Sequence, residues 1–420
     1  MNGWARVQNI DKSVIKKDLT LNGVELFLES PKGICVPRGY RDFSFVSFSE
    51  DMMGEAMKTL SPISLRDYQV PAVECVIENL NPAPKGAILF APCGKGKTVM
   101  GLEIARRLGR KTLVLVHKEF LVEQWLERAN TFLPEAKVGF WQRDTVPQGD
   151  EDIVIGMVQS ICNPRREYDP KIYECFGTLI ADETHRYAAP MWQEAISKFN
   201  SAFRVGLTAT PERKDGMQKA LFLHIGPIVY EMEGHKRVPT IWRINTDIKI
   251  KVPHLYNGEV NTSKMITDLS KVRERTDLVI RMTLRALKKG RKILILSERV
   301  SHVKEMKDLL EKELTDTDFS TSLYIGGMSQ EKRQKSAESD VIVGTYAMAQ
   351  EGLDIPELDT LILSTPKTSI TQSVGRILRD APNKKDPVVL DIVDKNINIL
   401  NAYWGARKKK YDNLGYKILY

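Results

Sequence analysis

Residues 86–109 read GAILFAPCGKGKTVMGLEIARRLG. The run GAILFA is short and apolar, which predicts a strand that is buried on both faces. The run KTVMGLEIARRLG has the apolar spacing of an amphipathic helix. A strand, a glycine-rich loop and a helix in this order form the context that a phosphate-binding loop requires. The stretch therefore predicts an α/β domain with a phosphate site at the end of one strand.

The loop Ala91–Thr98 matches the pattern GxxxxGK[ST], except that Ala91 takes the place of the first glycine. Its glycines let backbone N–H groups face one anion, and the helix N-terminus adds partial positive charge. We expect Lys97 to reach the β- and γ-phosphates of ATP and the Thr98 hydroxyl to coordinate Mg²⁺. The alternative is a chance turn rich in glycine and lysine. The predicted ATP contacts of the loop are Gly94, Lys95, Gly96, Lys97 and Thr98.

Apolar runs of the same kind recur along the chain in two sets, with helical patterns between them. The first set is GAILFA, TLVLVH, DIVIG, TLIAD and FRVGL, and the second is KILILS, TSLYIG, DVIVGT, TLILST and PVVLDIV. Strands that alternate with helices predict parallel sheets, so we expect an α/β fold with two tandem parallel-sheet domains. The expected divisions are a small β-containing module at 1–60 (a candidate DNA-binding element), an ATP-binding domain at 61–240, and a connector with the second domain at 241–420.

Two consecutive carboxylates, Asp182 and Glu183, follow the apolar run TLIA. The end of a buried strand is an unfavourable place for unpaired negative charge, which indicates that a cation binds there. We expect Asp182 to hold Mg²⁺ through water and Glu183 to orient and deprotonate the attacking water. The alternative is a strand that simply ends in an acidic turn.

Residues 372–379 read QSVGRILR. The spacing of Arg376 and Arg379 places both side chains on one side of a predicted helix. Guanidinium groups suit bidentate contact with phosphate or carboxylate, so we expect both arginines to be catalytic and to act on ATP that the first domain holds. The alternative is a surface helix with salt bridges.

The chain has 62 basic and 54 acidic residues, a net charge of +8, which favours a polyanionic partner. It contains no apolar run long enough for a membrane span and no secretory signal. Its five cysteines include no CxxC pair, which argues against a zinc site or a disulfide framework. Residues 401–420 hold five basic side chains and one acidic one. This segment is either a nucleic-acid contact or a solvated terminus.

The ordered motifs resemble those of superfamily 2 helicases and translocases over about residues 62–395. The matching elements are LRDYQ (65–69), the loop at 91–98, VHK (116–118) with Leu121, VQS (158–160), DETH (182–185), TATP (208–211), LSE (296–298), GT (344–345), EGLD (351–354) and QSVGRILR (372–379). Their combination is most similar to the XPB, RadD and UvsW group, in particular to phage branch-migration helicases of the UvsW type. The resemblance implies two RecA-like domains that use ATP and Mg²⁺.

The resemblance also assigns roles that spacing alone does not. It implies further ATP contacts at Arg66, Gln69, Gly352, Asp354 and Gln372, and nucleic-acid contacts at Ser160, Thr208 and Thr345. Isolated hydroxyls of this kind are more often caps or turn residues. The tryptophans that could stack on bases, although core packing is the expected role of each, are Trp125, Trp141, Trp192 and Trp404.

The function that the resemblance implies is an ATP-dependent DNA helicase or translocase. It would remodel branched DNA by fork regression, Holliday-junction branch migration or duplex unwinding, in replication, recombination or repair. Ser373 stands where many DEAD and DEAH proteins have arginine, which argues against a typical RNA helicase. The alternatives are an RNA helicase and a nucleotide-switched DNA-binding motor subunit without unwinding of its own. We expect a monomer in the cytoplasm (the host's, if a phage encodes it) that meets recombination or replication proteins and binds single-stranded and branched duplex DNA.

Two segments are candidates for reading a DNA junction. One is the N-terminal module, and the other is the stretch 236–265, where basic residues alternate with Trp242, His254 and Tyr256. Basic and aromatic side chains together suit phosphate contact and base stacking. The alternative for the second segment is a structural connector whose aromatic side chains pack between domains.

Overall fold

The structure is a computed structural model of the 420-residue chain. It describes residues 4–7, 12–21, 24–30, 33–40, 44, 49–92, 94–183, 190–209, 218–234, 237–351, 353 and 355–420. The chain divides into two compact units, Met1–Gly234 and His235–Tyr420. Within the described ranges, no helix is long and apolar enough to cross a membrane.

The first unit begins with a small antiparallel element. Its strands and helix are β1 (Trp4–Val7), α1 (Lys12–Leu19), β2 (Thr20–Leu21), β3 (Val24–Glu25), β4 (Leu28–Ser30) and β5 (Gly33–Pro37). Three strands pair in the order β1-β5-β4, and β2 pairs with β3. The apolar side chains of this element share a core with Ala220 and Leu223 from later in the unit. The predicted β structure near the N-terminus is confirmed, and this element packs on a later part of the first unit.

The rest of the first unit is an α/β domain. Its elements are α2 (Val70–Leu80), β6 (Lys85–Phe90), α3 (Lys97–Leu108), β7 (Thr112–Val116), α4 (Glu119–Phe132), β8 (Val138–Trp141), β9 (Ile153–Met157), α5 (Val158–Ile161), β10 (Thr178–Asp182), α6 (Pro190–Ser197), β11 (Phe203–Thr208), α7 (Gln218–His224) and β12 (Ile228–Glu231). Short 3₁₀ turns cover Glu50–Met53 and Pro170–Tyr173.

A seven-stranded parallel sheet in the order β12-β6-β11-β10-β7-β9-β8 organises this domain. Strands β7, β10 and β11 are buried along their whole length, as their unbroken apolar runs predict. Two hydrophobic clusters contain the side chains of the sheet and its helices. Because the strands are parallel, the residues that follow β6, β11 and β10 lie at one edge of the sheet.

The second unit is built in the same way. Its elements are β13 (Thr240–Thr246), α8 (Thr262–Ser270), α9 (Arg273–Leu287), β14 (Ile293–Ser297), α10 (Val300–Glu313), β15 (Thr321–Tyr324), α11 (Gln330–Glu338), β16 (Val341–Thr345), α12 (Tyr346–Glu351), β17 (Thr360–Leu363), α13 (Thr371–Ile377), β18 (Val388–Asp394), α14 (Asn398–Asn413) and β19 (Lys417–Leu419). Seven parallel strands pair in the order β15-β16-β14-β17-β18-β13-β19. The predicted fold of two tandem parallel-sheet domains is confirmed.

The C-terminal segment belongs to the second unit, and of its basic residues Arg407 is buried in the core while Lys409, Lys410 and Lys417 are exposed. Helix α14 buries Trp404 and Tyr411, and β19 pairs with β13. The buried Arg407 guanidinium donates two hydrogen bonds of 2.8 Å to the Asp391 carboxylate, and the Tyr411 hydroxyl donates a third of 2.9 Å. Both interpretations of this segment, a nucleic-acid contact and a solvated terminus, are therefore wrong for Arg407. The reason is that its charge is paired with the Asp391 carboxylate inside the folded domain.

The tryptophans confirm the expectation of core packing. All four that were considered for base stacking are buried, namely Trp125, Trp141, Trp192 and Trp404.

Candidate functional site

The phosphate-loop candidate joins β6 to α3 as predicted. Gly94 and Gly96 have φ values of 84° and 81°, in the left-handed region that favours glycine. A Cβ atom on Gly96 would lie 2.4 Å from the Nε2 of Gln69, so a larger residue would displace that side chain and would also strain the backbone. Helix α3 begins at Lys97, directly after Gly96, and its first N–H groups have no partner within the helix. These features suit an anion at the helix N-terminus.

The loop is tied to the neighbouring strand through its backbone. The Ala91 N–H donates to the carbonyl oxygen of Thr208 at 2.9 Å, which links the ends of β6 and β11. The Lys97 Nζ donates to the Ala91 carbonyl at 3.2 Å. The Lys97 ammonium group is thereby held beside the loop, where a phosphate is expected to be bound.

Gln69 connects the preceding segment to the same loop. Its Oε1 accepts a hydrogen bond from the Arg66 N–H at 3.0 Å, and its Nε2 donates to the Lys95 carbonyl at 2.9 Å. These two bonds use one of its amide hydrogens and one of its lone pairs, which leaves a donor and an acceptor. A donor and an acceptor together match the N7 and N6 positions of adenine. The buried Gln69 thus combines a role in positioning the loop with the capacity to bind a base.

Lys95 and Arg66 both contact Tyr68. The Lys95 Nζ lies 5.1 Å from the centre of the Tyr68 ring, and the Arg66 Nη1 donates to the Tyr68 hydroxyl at 3.0 Å. The residues that the resemblance assigned to ATP on this side therefore lie together in the first unit. Their contact with ATP stays a prediction.

Asp182 lies at the end of β10, where the sequence predicted a cation site. Its Oδ2 accepts a hydrogen bond from the Trp125 Nε1 at 2.8 Å, and its Oδ1 accepts one from the Glu183 N–H at 2.9 Å. Burial, and next the negative charge of Glu183, raise the pKa of Asp182 to about 6. The Trp125 hydrogen bond and the Lys97 charge act in the opposite direction. A buried carboxylate with these neighbours favours a bound cation.

Glu183 has an unusual backbone conformation. Its φ of 52° is in the left-handed region, which few residues other than glycine adopt. Backbone strain of this kind is concentrated at active sites, where it aims a side chain. The rest of the DETH element, Thr184 and His185, lies outside the described residues, as do Thr210 and Pro211 of TATP.

Trp125 is the residue in this site that the sequence did not identify as functional. It lies on α4, 57 positions before Asp182, and is fully buried. A Cβ atom on Gly101 of α3 would come within 2.9 Å of its ring, so the helix packs closely against the indole. No motif marks this position, because the contact depends on how α4 packs beside β10.

The second unit contains the two arginines of QSVGRILR, but in different settings. Arg376 is buried, and its guanidinium donates to the carbonyls of Ala349 at 2.6 Å and Leu353 at 2.9 Å. Helix α13 ends at Ile377, so Arg379 lies beyond it. The expectation that both arginines project from one helix is wrong, because the last helical turn closes before Arg379 is reached.

The structure describes only some of the other residues that were predicted to contact ATP or nucleic acid. Gln372 lies on α13 and is half-buried, while Gly352 and Asp354 lie outside the described residues. Ser160, Thr208 and Thr345 are buried, and the Ser160 Oγ accepts a hydrogen bond from the Arg143 N–H at 2.9 Å. The Ser160 hydroxyl therefore links α5 to the turn that follows β8 and does not cap a helix. A nucleic-acid role for these three residues stays a prediction.

The site in the first unit fits ATP with Mg²⁺. The glycine loop and Lys97 follow β6, and Asp182 ends β10, with β11 between the two strands. All three therefore lie at the carboxyl edge of one parallel sheet, the usual location of ligands in such folds. The Thr98 hydroxyl and the Asp182 carboxylate are oxygen ligands, which Mg²⁺ prefers. When bound, the cation would supply positive charge to the phosphates, while Lys97 contributes the charge of the protein itself.

Comparison with known proteins identifies the family. Family profiles described as "Type III restriction enzyme, res subunit" and "Helicase conserved C-terminal domain" match residues 62–213 and 274–381. The protein L396 of Acanthamoeba polyphaga mimivirus is 31% identical over 431 residues, which cover 98% of this chain and 80% of that relative. The chain belongs to the superfamily 2 helicases. The helicase therefore binds nucleic acid and remodels it at the expense of ATP.

The helicase also has a phage relative and a solved structure with the same fold. The helicase D10 of Escherichia phage T5 is 26% identical over 340 residues, which cover 78% of this chain and 71% of the relative. A fragment of an HsdR subunit of a type I restriction enzyme from Vibrio vulnificus YJ016 superposes with a TM-score of 0.58 at 19% identity. That superposition covers 79% of this helicase and 65% of the fragment. The phage and viral relatives fit the XPB- and UvsW-like group that the motifs indicated.

Proposed function

We propose that this helicase is an ATP-dependent DNA helicase or translocase that remodels branched DNA. The proposed reactions are fork regression, Holliday-junction branch migration and duplex unwinding, in replication, recombination or repair. The proposed motor activity is supported by the arrangement of Lys97, Asp182 and Glu183 at the edge of a RecA-like sheet. The preference for DNA is supported by Ser373, which is fully buried in α13 at the position where many RNA helicases present arginine.

Each side chain of the site has a proposed role in hydrolysis. Lys97 neutralises the β- and γ-phosphates, while Thr98 and Asp182 hold Mg²⁺. Glu183, whose backbone has a left-handed φ of 52°, orients and deprotonates the attacking water. Gln69 and Arg66 bind the adenine side of ATP.

The two arginines have separate proposed roles. Arg379 supplies positive charge to the transferred phosphoryl group. Arg376, bound to two carbonyls, holds the segment that follows β16 in place for that step. Domain movement linked to binding and hydrolysis then advances the motor along a strand, with sequence-independent contacts to phosphates.

An RNA helicase is the second candidate function. The observation that favours it is the name of the mimivirus relative, which describes an ATP-dependent RNA helicase. A third candidate is a nucleotide-switched motor subunit without unwinding of its own. We further propose that the helicase acts as a monomer in the cytoplasm, or in the host cytoplasm if a phage encodes it.

The test measures ATP hydrolysis and strand separation together. Single-stranded DNA, linear duplex, fork and Holliday-junction substrates are compared with RNA of the same sequences, with Lys97→Ala as the inactive control. We expect DNA to stimulate hydrolysis more than RNA does and branched DNA to be processed fastest. Greater stimulation by RNA would support the RNA helicase. Stimulation by DNA without any strand separation or branch migration would support the motor subunit.

A further inference from the structure

The stretch 253–261 in the second unit forms a tight hairpin with an aromatic tip. His254 and Val260 pair as an antiparallel bridge, and the Leu255 N–H donates to the Glu259 carbonyl at 2.7 Å. The Gly258 N–H donates to the Leu255 carbonyl at 3.0 Å, which closes a four-residue turn. Gly258 has a φ of 84°, a conformation that glycine adopts readily. Tyr256 occupies the first central position of this turn.

Tyr256 is the most exposed large apolar or aromatic residue in the described ranges. Its relative accessibility is 111%, and that of the adjacent Leu255 is 45%. A single exposed side chain needs no explanation on its own. What distinguishes Tyr256 is the rigid support beneath it and the surface next to it.

The support is a small hydrophobic cluster beneath the hairpin. Residues 247–252 lead into the hairpin with alternating exposure, so that Ile248, Ile250 and Val252 face the cluster while Lys249 and Lys251 face solvent. The remaining members of this cluster are Val260, Met265, Ile266, Leu269, Ile397, Ile399, Leu400 and Tyr403. The hairpin is thereby anchored to α8 and α14.

Asn261 joins the base of the hairpin to α8. Its N–H donates to the Pro253 carbonyl at 2.8 Å, which closes the base. Its side-chain Oδ1 accepts a hydrogen bond from the Lys264 N–H at 2.9 Å, which caps the N-terminus of the helix. Because one residue serves both elements, the direction of the hairpin is coupled to that of α8.

The first turn of α8 forms part of a polar cavity of about 310 Å³. The cavity lies at the carboxyl edge of the second sheet, where Glu298 and Arg299 follow β14 and Lys367 and Thr368 follow β17. Arg299 donates to the Ser263 carbonyl at 2.7 Å, which holds α8 against this edge. Lys367 is paired with the Glu298 carboxylate at 2.7 Å, which leaves Arg299 and the hydroxyls of the cavity as the groups suited to a nucleic-acid phosphate.

We infer that the 253–261 hairpin is a wedge, in which Tyr256 stacks on an unpaired base at a single-strand–duplex junction. Lys249, Lys251 and the polar cavity contact the phosphates on either side. Stacking on an aromatic ring does not depend on base identity, which suits a helicase that moves along any sequence. A rigid wedge also opposes re-pairing of the strands. This inference rests on the proposed function, because it requires the helicase to separate strands.

The test compares Tyr256→Ala with Tyr256→Trp and with Tyr420→Ala. Tyr420 is a matched control because it is also an exposed tyrosine of the second unit, at 73% accessibility, and lies outside the hairpin. The substrate is a DNA fork with 2-aminopurine at the junction, whose fluorescence reports stacking. ATP hydrolysis with single-stranded DNA and strand separation on the fork are measured for each variant.

We expect Tyr256→Ala to weaken junction affinity by about 5- to 150-fold, the effect of one lost base stack. Strand separation per ATP should fall, while hydrolysis with single-stranded DNA stays within about twofold of the original protein. Tyr256→Trp should restore strand separation, and Tyr420→Ala should change neither quantity. If Tyr256→Ala hydrolyses ATP normally and separates the strands as well as the original protein does, the inference that the hairpin is a wedge is wrong. The proposed function would be unaffected by that result. A parent protein that hydrolyses ATP but shows neither strand separation nor branch migration would overturn both.

Discussion

Replacement of Trp125 by phenylalanine tests whether a buried tryptophan positions the magnesium ligand. The indole Nε1 donates to the Asp182 Oδ2 at 2.8 Å, and Trp125→Phe removes this donor while retaining an aromatic ring. A hydrogen bond to a charged group contributes about 1.5–3 kcal/mol. If that energy holds Asp182 in its productive orientation, ATP turnover at fixed Mg²⁺ falls by about 10- to 150-fold.

The same unit offers a matched control in Trp141. This tryptophan is fully buried, and within the described part of the chain its Nε1 has no hydrogen-bond partner. Trp141→Phe therefore removes the same atoms from a packed core and breaks no hydrogen bond. Both substitutions should lower the free energy of unfolding by about 1–3 kcal/mol. Only Trp125→Phe should also change catalysis.

The assay is steady-state ATP hydrolysis as a function of Mg²⁺ concentration, with the folded fraction of each variant followed by circular dichroism. Trp125→Phe should raise the Mg²⁺ concentration for half-maximal activity by about 10-fold or more, as outer-shell substitutions do at metal sites. Trp141→Phe should leave that concentration unchanged. Equal activity and equal Mg²⁺ dependence in the two variants would refute the positioning role of Trp125.

Three further substitutions separate the roles of individual charges. Glu183→Gln should bind ATP normally but hydrolyse it about 10²- to 10⁴-fold more slowly, as measured by nucleotide binding and by turnover. If the variant instead binds ATP weakly but turns it over normally at saturating ATP, the roles assigned to Asp182 and Glu183 would have to be exchanged. Arg379→Ala should lower ATP turnover by about 10³- to 10⁵-fold, and unchanged turnover would contradict its proposed role. Arg376→Ala should lower the melting temperature, because two backbone carbonyls lose their donor. An unchanged melting temperature would contradict this structural role. Arg407→Ala should reduce the free energy of unfolding by about 3–5 kcal/mol in urea denaturation, because the buried Asp391 carboxylate keeps the Tyr411 hydroxyl but loses its cationic partner. A value below about 1 kcal/mol would mean that water reaches the carboxylate.

The fold and the position of the candidate ATP site were predictable because their signals are local. An unbroken apolar run such as residues 112–117 predicts a strand buried on both faces, and the alternation of such runs with helices predicts a parallel sheet. Gly94 and Gly96 can adopt their left-handed conformations because glycine has no side chain. Asp182 was identifiable because a charge at the end of a buried strand needs a partner.

The tertiary structure alone decided which side chains are partners. Trp125 and Asp182 are separated by 57 residues, and Arg376 binds a carbonyl 27 residues away. Arg407 lies in a basic run that is typical of a solvated tail, yet it pairs with Asp391 in the core. The exposure of Tyr256 likewise depends on the support that distant helices provide to its hairpin. Local sequence determines backbone conformation and the burial of strands, whereas the partner of a side chain depends on how separate elements pack, which no short stretch of sequence contains.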